Sequence, residues 1–207
     1  MSKYFYHGVT GSFVSIPLVL EILKTGGLKC KSLLGKEPRG YNGLNYVSVC
    51  KKYPPEDYKS TTMDNAFYTF VQDNFCFIIS NEIDAIKTTP AGKIKWNLYS
   101  DSMLTDKRNR ISDMFDEWQV YKEIPLSAII GIGIPVQCLA PTLKDFPSDC
   151  NTIKSFRKLL ELANELGLDI VDTNQRGFVE EYERKKQEAS VKIYQISKKL
   201  EQVINRE

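Results

Sequence analysis

The run Ile129-Ile130-Gly131-Ile132-Gly133-Ile134 constrains this chain more than any other stretch. Four isoleucines and no polar side chain leave it one stable place, a deeply buried strand, and its glycines allow close packing against neighbours. Residues 75–80 form a second clear strand, mostly β-branched and aromatic. Shorter strand-prone runs stand at residues 4–6, closed by Gly8 and Gly11, and at residues 46–50. Residues 118–126, with a turn marked by Pro125, lead into the buried run.

Helical periodicity lies between and after these strands. Residues 15–23 read as a helix with Pro17 in its first turn, an apolar face of Val14, Leu18, Leu20, Ile22 and Leu23, and a stop at Gly26-Gly27. Residues 61–71 read as a second helix, capped by Thr62 or Asp64 and burying Ala66, Phe67, Phe70 and Val71. After Pro147, Asn151 or Thr152 caps a helix reaching about residue 165, with Phe156, Leu159, Leu160 and Ala163 as its stripe and Gly167 as its end. Residues 168–171 are a last short strand. A long charged helix follows Gly177, with Val179, Tyr182, Ala189, Ile193, Ile196, Leu200 and Val203 near one seam. Strand, helix, mostly strands, then helices is the order of an α+β domain. The expected division is a domain over residues 1–147 and a helical C-terminal extension over residues 148–207.

Composition removes several classes of function. The 28 Lys and Arg residues nearly balance the 26 Asp and Glu, so no global charge calls for nucleic acid or an anionic membrane. No apolar stretch approaches the roughly 20 residues that span a bilayer, and the N-terminus lacks an apolar signal region. The expected location is cytoplasmic, or delivery without a cleavable signal peptide. Cys30, Cys50, Cys76, Cys138 and Cys150 are odd in number and widely spaced, and with the single His7 they form neither a zinc site nor a disulfide framework. No metal is expected. Richness in Lys, Ile and Asn points to a low-GC bacterial or phage source. Neither a phosphate loop nor a dinucleotide fingerprint occurs.

Three polar residues interrupt the strand patterns. His7 follows Tyr4-Phe5-Tyr6 and precedes Gly8, which lets a ligand approach the backbone closely; a polar residue at a strand edge is the plainer account. Tyr46 lies in Leu44-Asn45-Tyr46-Val47-Ser48-Val49 and offers an aromatic face to a flat ring. Glu117 heads Asp116-Glu117-Trp118-Gln119-Val120-Tyr121; it is either a carboxylate aimed into a pocket or the start of a strand leaving a solvated turn.

In this order, aromatic-His-Gly, then Asn-Tyr-x-Ser, then acidic-Glu-aromatic-x-Val-Tyr resembles the His-Tyr-Glu ADP-ribosyltransferases, the superfamily of the poly(ADP-ribose) polymerases and diphtheria toxin. The resemblance covers about the first 135 residues. It implies a split β-sandwich with an NAD cleft and a transferase (glycosyltransferase) that moves one ADP-ribose from NAD, a consumed substrate, to a macromolecular acceptor, protein or nucleic acid. His7 would bond the adenine-side ribose and the Gly8 backbone the nicotinamide carboxamide. Tyr46 would form one wall of the nicotinamide slot and Tyr68 the other, with Phe67, Tyr53 and Tyr58 as alternatives. Ser48 is open to contact with the carboxamide or with solvent. Glu117 would stabilise the oxocarbenium-like ribose. Arg39, with Lys29, Lys31 and Lys36, would meet the pyrophosphate or form a solvated surface. Gln119 departs from the family pattern, standing where an apolar strand residue is usual. The first strand lacks the arginine of the other branch, and Phe115 stands where that branch has a carboxylate or amide. Two other readings remain: an RNA 2′-phosphotransferase or small-molecule ADP-ribosyltransferase, and a non-catalytic nucleotide- or partner-binding module whose partner docks through residues 178–204.

Overall fold

The computed structural model describes residues 3–9, 15–35, 45–51, 75–87, 116–136, 139, 150–173 and 178–187. Their order is β1 (Phe5–Val9), α1 (Ser15–Lys24), β2 (Gly27–Lys29), β3 (Tyr46–Cys50), β4 (Phe75–Ile79), β5 (Ala85–Lys87), β6 (Glu117–Tyr121), β7 (Glu123–Pro125), a 3-10 turn (Leu126–Ala128), β8 (Ile129–Ile134), α2 (Asn151–Glu165), β9 (Asp169–Asp172) and α3 (Phe178–Gln187). The fold class is α+β. Seven strands form one sheet in the order β5-β6-β3-β1-β4-β8-β9, and β2 and β7 form a separate ribbon. Every pairing is antiparallel except that of β8 with β9.

Side chains alternate across a strand, so the register sorts the sheet into two faces. Phe5, Val9, Val47, Val49, Phe75, Phe77, Val120, Ile132, Ile134 and Ile170 share one face and join the main core. Helices α1 and α2 cover it and pack on each other. Helix α1 buries Ile16, Val19, Leu20 and Leu23, the spacing of one helical face. Leu18, expected inside, is 43% exposed, because it lies off that stripe. Helix α2 buries Ile153 beside the four residues read from its sequence. Its N-cap is Cys150, whose Sγ accepts from the backbone N–H of Ile153 at 3.4 Å; the chain turns one residue earlier than Asn151, and two earlier than Thr152, would require.

The buried run becomes β8, between β4 and β9. A Cβ on Gly133 would stand 2.3 Å from Thr173 Cγ2 and 3.2 Å from Cys76 Cβ, so the close packing needs the missing side chain. Gly27 serves the ribbon in the same way. Its φ is +127°, and a Cβ there would lie 2.1 Å from the Ile124 carbonyl oxygen. This ribbon also takes Lys29 out of the expected basic loop and into a strand opposite Glu123.

A boundary at residue 147 does not separate the fold. Strand β9 completes the main sheet and α2 covers its core face, so these residues belong to the body rather than to an extension. Helix α3 is docked as well. The Tyr182 hydroxyl donates to Asp169 Oδ2 at 2.8 Å, Lys186 pairs with the same carboxylate, and Glu183 accepts from the Lys3 backbone N–H at 3.0 Å and the Tyr6 hydroxyl at 3.2 Å. The remaining seam residues from Ala189 onward lie outside the described residues, as does the segment read as the helix of residues 61–71. Among the described residues, no helix is long and apolar enough to cross a membrane.

Candidate functional site

Opposite the face covered by α1 and α2, on the side where α3 reaches Tyr6 and Asp169, the sheet carries a different chemistry. Tyr6 pairs with Cys50, Cys50 with Glu117, Ser48 with Gln119, and Tyr46 with Tyr121, so all these residues share one face. Gly8 joins them from β1, two residues beyond Tyr6. Along β1, β3 and β6 this face presents a carboxylate, an amide, a hydroxyl, a thiol and tyrosines.

The sheet is not uniformly stitched. Strand β1 has five registered pairs with β4, and β3 has five with β6, but β1 meets β3 at one pair only, Tyr6 with Cys50. Beyond that pair, His7, Gly8 and Val9 run on without a registered partner in β3. The registered pairing of β1 with β3 thus ends at the residue before His7, the only histidine in the sequence. Where the ladder stops, the His7 ring takes over, with Nδ1 2.7 Å from the Ser48 carbonyl oxygen.

That contact settles the imidazole's chemistry. A carbonyl only accepts, so Nδ1 carries the proton and donates. Burial lowers the His7 pKa below its ordinary 6.5, against the raising effect of the Ser48 bond, and favours the neutral ring. A neutral ring protonated at Nδ1 presents Nε2 as an acceptor, suited to a hydroxyl donor. By strand alternation His7 itself lies with Phe5 and Val9, on the side opposite Glu117, and is linked to the others by its bond to the Ser48 carbonyl.

Glu117 is placed by a turn. Asp116 takes φ of 50°, a left-handed conformation that aspartate tolerates, and β6 begins at the next residue. Asp116 is 3% exposed and Glu117 1%, which disagrees with a solvated turn. Lys87 on β5 pairs with Asp116 Oδ1 at 2.8 Å, and the Lys51 backbone N–H donates to the Asp116 carbonyl at 3.2 Å. The aspartate thus fixes where the strand starts, and the glutamate follows as its first residue, on the face away from the main core. Burying a carboxylate is costly, and Glu117 is held buried on the face without the main core.

The flanking groups differ in reactivity. Cys50 is no ready nucleophile: burial first, then Cys76, Glu117 and Asp116, pushes its thiol well above the ordinary range, and Sγ donates to the Tyr6 carbonyl at 3.5 Å. Cys76 is pushed up by burial too. Tyr46 is half-buried and meets the Tyr121 ring edge-on, with centroids 5.5 Å apart, while Tyr121 is 57% exposed. On the other side of the sheet, the Lys51 ammonium lies 4.4 Å from the Phe5 ring centre and 4.8 Å from that of Trp118.

The structure therefore gathers Glu117, Tyr46, Ser48 and Gly8 on one face, where β1 and β3 share a single registered pair, and links His7 to them through Ser48. Tyr68, its alternatives Phe67, Tyr53 and Tyr58, and Arg39 with Lys36 lie outside the described residues. Gln119 was read in the sequence only as a departure; the signal for it is the period of two from Glu117, which puts both on one face. Comparison with known proteins gives no match, whether to family models, curated proteins or solved structures.

Proposed function

We propose that this protein is an NAD-dependent mono-ADP-ribosyltransferase, with an ADP-ribosyltransferase-like split sheet whose cleft opens between β1 and β3. The observation that carries the reading is Glu117, almost fully buried on the face without the main core, two strands from the point where the β1–β3 ladder stops. Such a cleft suits an elongated dinucleotide: Gly8, whose missing side chain lets a ligand approach the backbone, on one lip, an aromatic ring and a hydroxyl of β3 on the other, and a carboxylate behind. Tyr46 forms one wall for the cationic nicotinamide ring. His7 Nε2 accepts from a hydroxyl of the adenine-side ribose.

In the reaction, the bond from ribose C1′ to the nicotinamide nitrogen breaks, and its electron pair neutralises the pyridinium. Positive charge develops on the ribose, where Glu117 stabilises it and grips a hydroxyl. The acceptor's lone pair then bonds C1′ and the acceptor loses its proton. No metal enters this scheme. The acceptor is a macromolecule, protein or nucleic acid.

The test is nicotinamide release from NAD by the purified protein beside Glu117→Gln, with and without a cell extract as acceptor source. Release that disappears in the variant supports the mechanism; wild-type release that survives it overturns the role of Glu117. A protein that neither binds NAD nor releases nicotinamide, with or without extract, overturns the whole reading.

A further inference from the structure

We propose that Gln119 is a substrate-binding residue, its side-chain oxygen accepting a hydrogen bond from a hydroxyl of the nicotinamide-side ribose of NAD; this rests on the function proposed above. Gln119 is 1% exposed, yet its Oε1 has no hydrogen-bond partner among the described residues. A buried amide oxygen left unpaired costs folding free energy, and an apolar side chain of similar size would avoid that cost. Such an atom is explained when a ligand supplies the missing donor.

Its place in the sheet identifies the donor. Gln119 stands on β6 two residues after Glu117 and two before Tyr121, and its cross-strand partner is Ser48, whose carbonyl receives the His7 bond. Same-face neighbours along a strand are roughly 7 Å apart. The amide therefore lies one step from the carboxylate that acts at C1′, and one diagonal step from the Tyr46 ring that takes nicotinamide. Between those two parts of NAD lies the ribose, whose hydroxyls are donors. Glutamine is not a base at neutral pH, so the residue binds and orients the sugar and takes no proton.

The experiment compares wild type, Gln119→Met and Gln119→Glu in NAD binding by calorimetry, in KM and kcat for nicotinamide release, in inhibition by free nicotinamide, and in melting temperature. Gln119→Met is expected to raise Kd and KM for NAD about tenfold with a smaller change in kcat. It leaves nicotinamide inhibition unchanged, because free nicotinamide has no ribose, and its melting temperature stays level or rises. Gln119→Glu, which keeps an acceptor oxygen, restores part of the NAD affinity. Unchanged Kd and KM in a folded Gln119→Met variant would overturn the assignment, leaving the amide a structural residue. Equal weakening of NAD and free nicotinamide would overturn it in favour of a carboxamide contact. If wild type itself fails to bind NAD, the underlying function falls and this inference with it. Wild-type activity lost in Glu117→Gln but untouched in Gln119→Met would remove this inference alone.

Discussion

The two faces of the seven-stranded sheet are built from the same strands and obey opposite rules. Under α1 and α2, most inward positions are aromatic or branched aliphatic residues, and close packing supplies the stability. On the other face stand Glu117, Gln119, Ser48, Cys50 and Tyr46, polar or half-buried groups that a core does not need. One strand serves both: β6 sends Val120 into the core and Glu117 and Gln119 away from it. The difference teaches that an apolar core and a polar face are separated by the period of two. A substitution one residue along the strand is expected to change which property fails.

The sharpest way to break this comparison is to remove bulk from the core face. Phe77→Ala deletes a fully buried ring and is expected to cost about 3–5 kcal/mol, read as a lower urea midpoint. A shift under 1 kcal/mol would mean that the helix-covered face is not the stabilising one. Next in size, Glu117→Gln is expected to slow nicotinamide release by about 10²–10³ while leaving the urea midpoint near the wild-type value. Loss of fold in place of loss of release would merge the two faces into one structural role.

Gly133→Ala tests close packing where β8 meets β4 and the segment after β9. Its new Cβ meets Thr173 and Cys76, and about 1–3 kcal/mol of destabilisation is expected. A neutral result would show that the Gly133 contacts relax freely. Tyr182→Phe removes the hydroxyl that ties α3 to β9, for about 1 kcal/mol by thermal melting. Burial first, then the charge and hydrogen bond of Asp169, raises the Tyr182 pKa far above its ordinary 10. The folded state therefore holds this proton more tightly than the unfolded one, and stability present below pH 10 is lost as pH rises past it. The variant should lack that alkaline loss, and a variant as alkali-sensitive as wild type would remove Tyr182 as its source.

The smallest effect belongs to His7. Its pKa is lowered in the fold, so between that value and 6.5 the unfolded chain binds more protons, and stability rises with pH through this window. Stability is present above pH 6.5 and lost as pH falls through the lowered value. Urea midpoints of wild type and His7→Gln between pH 7 and pH 5 should converge as the pH falls. Parallel curves would show that the ring at the seam is not what titrates.

Much of this was legible beforehand, and particular residues show why. The run from Ile129 to Ile134 was readable because four isoleucines have no other stable environment, and α2 because its apolar stripe repeats at three and four. Leu18 misled because helical phase depends on which face meets the sheet, and ten residues hold few turns to fix it. The C-terminal segment read as an appendage because pairing of β9 with β8 joins residues about 38 positions apart in sequence, as Gly131 with Asp169 shows, and no local pattern encodes such a partner.

By itself the sequence determined the α+β class, the buried β8 run and the stops at Gly26, Gly27 and Gly167, and it offered His7, Tyr46 and Glu117 as candidates. These follow from local preference and period, which each segment carries alone. The tertiary structure decided the rest: that Glu117, Gln119, Ser48 and Tyr46 share one face, that β1 leaves β3 after a single pair, and that His7 bridges the gap by Nδ1. Register and burial are properties of pairs of strands, and only the folded sheet chooses which pairs meet.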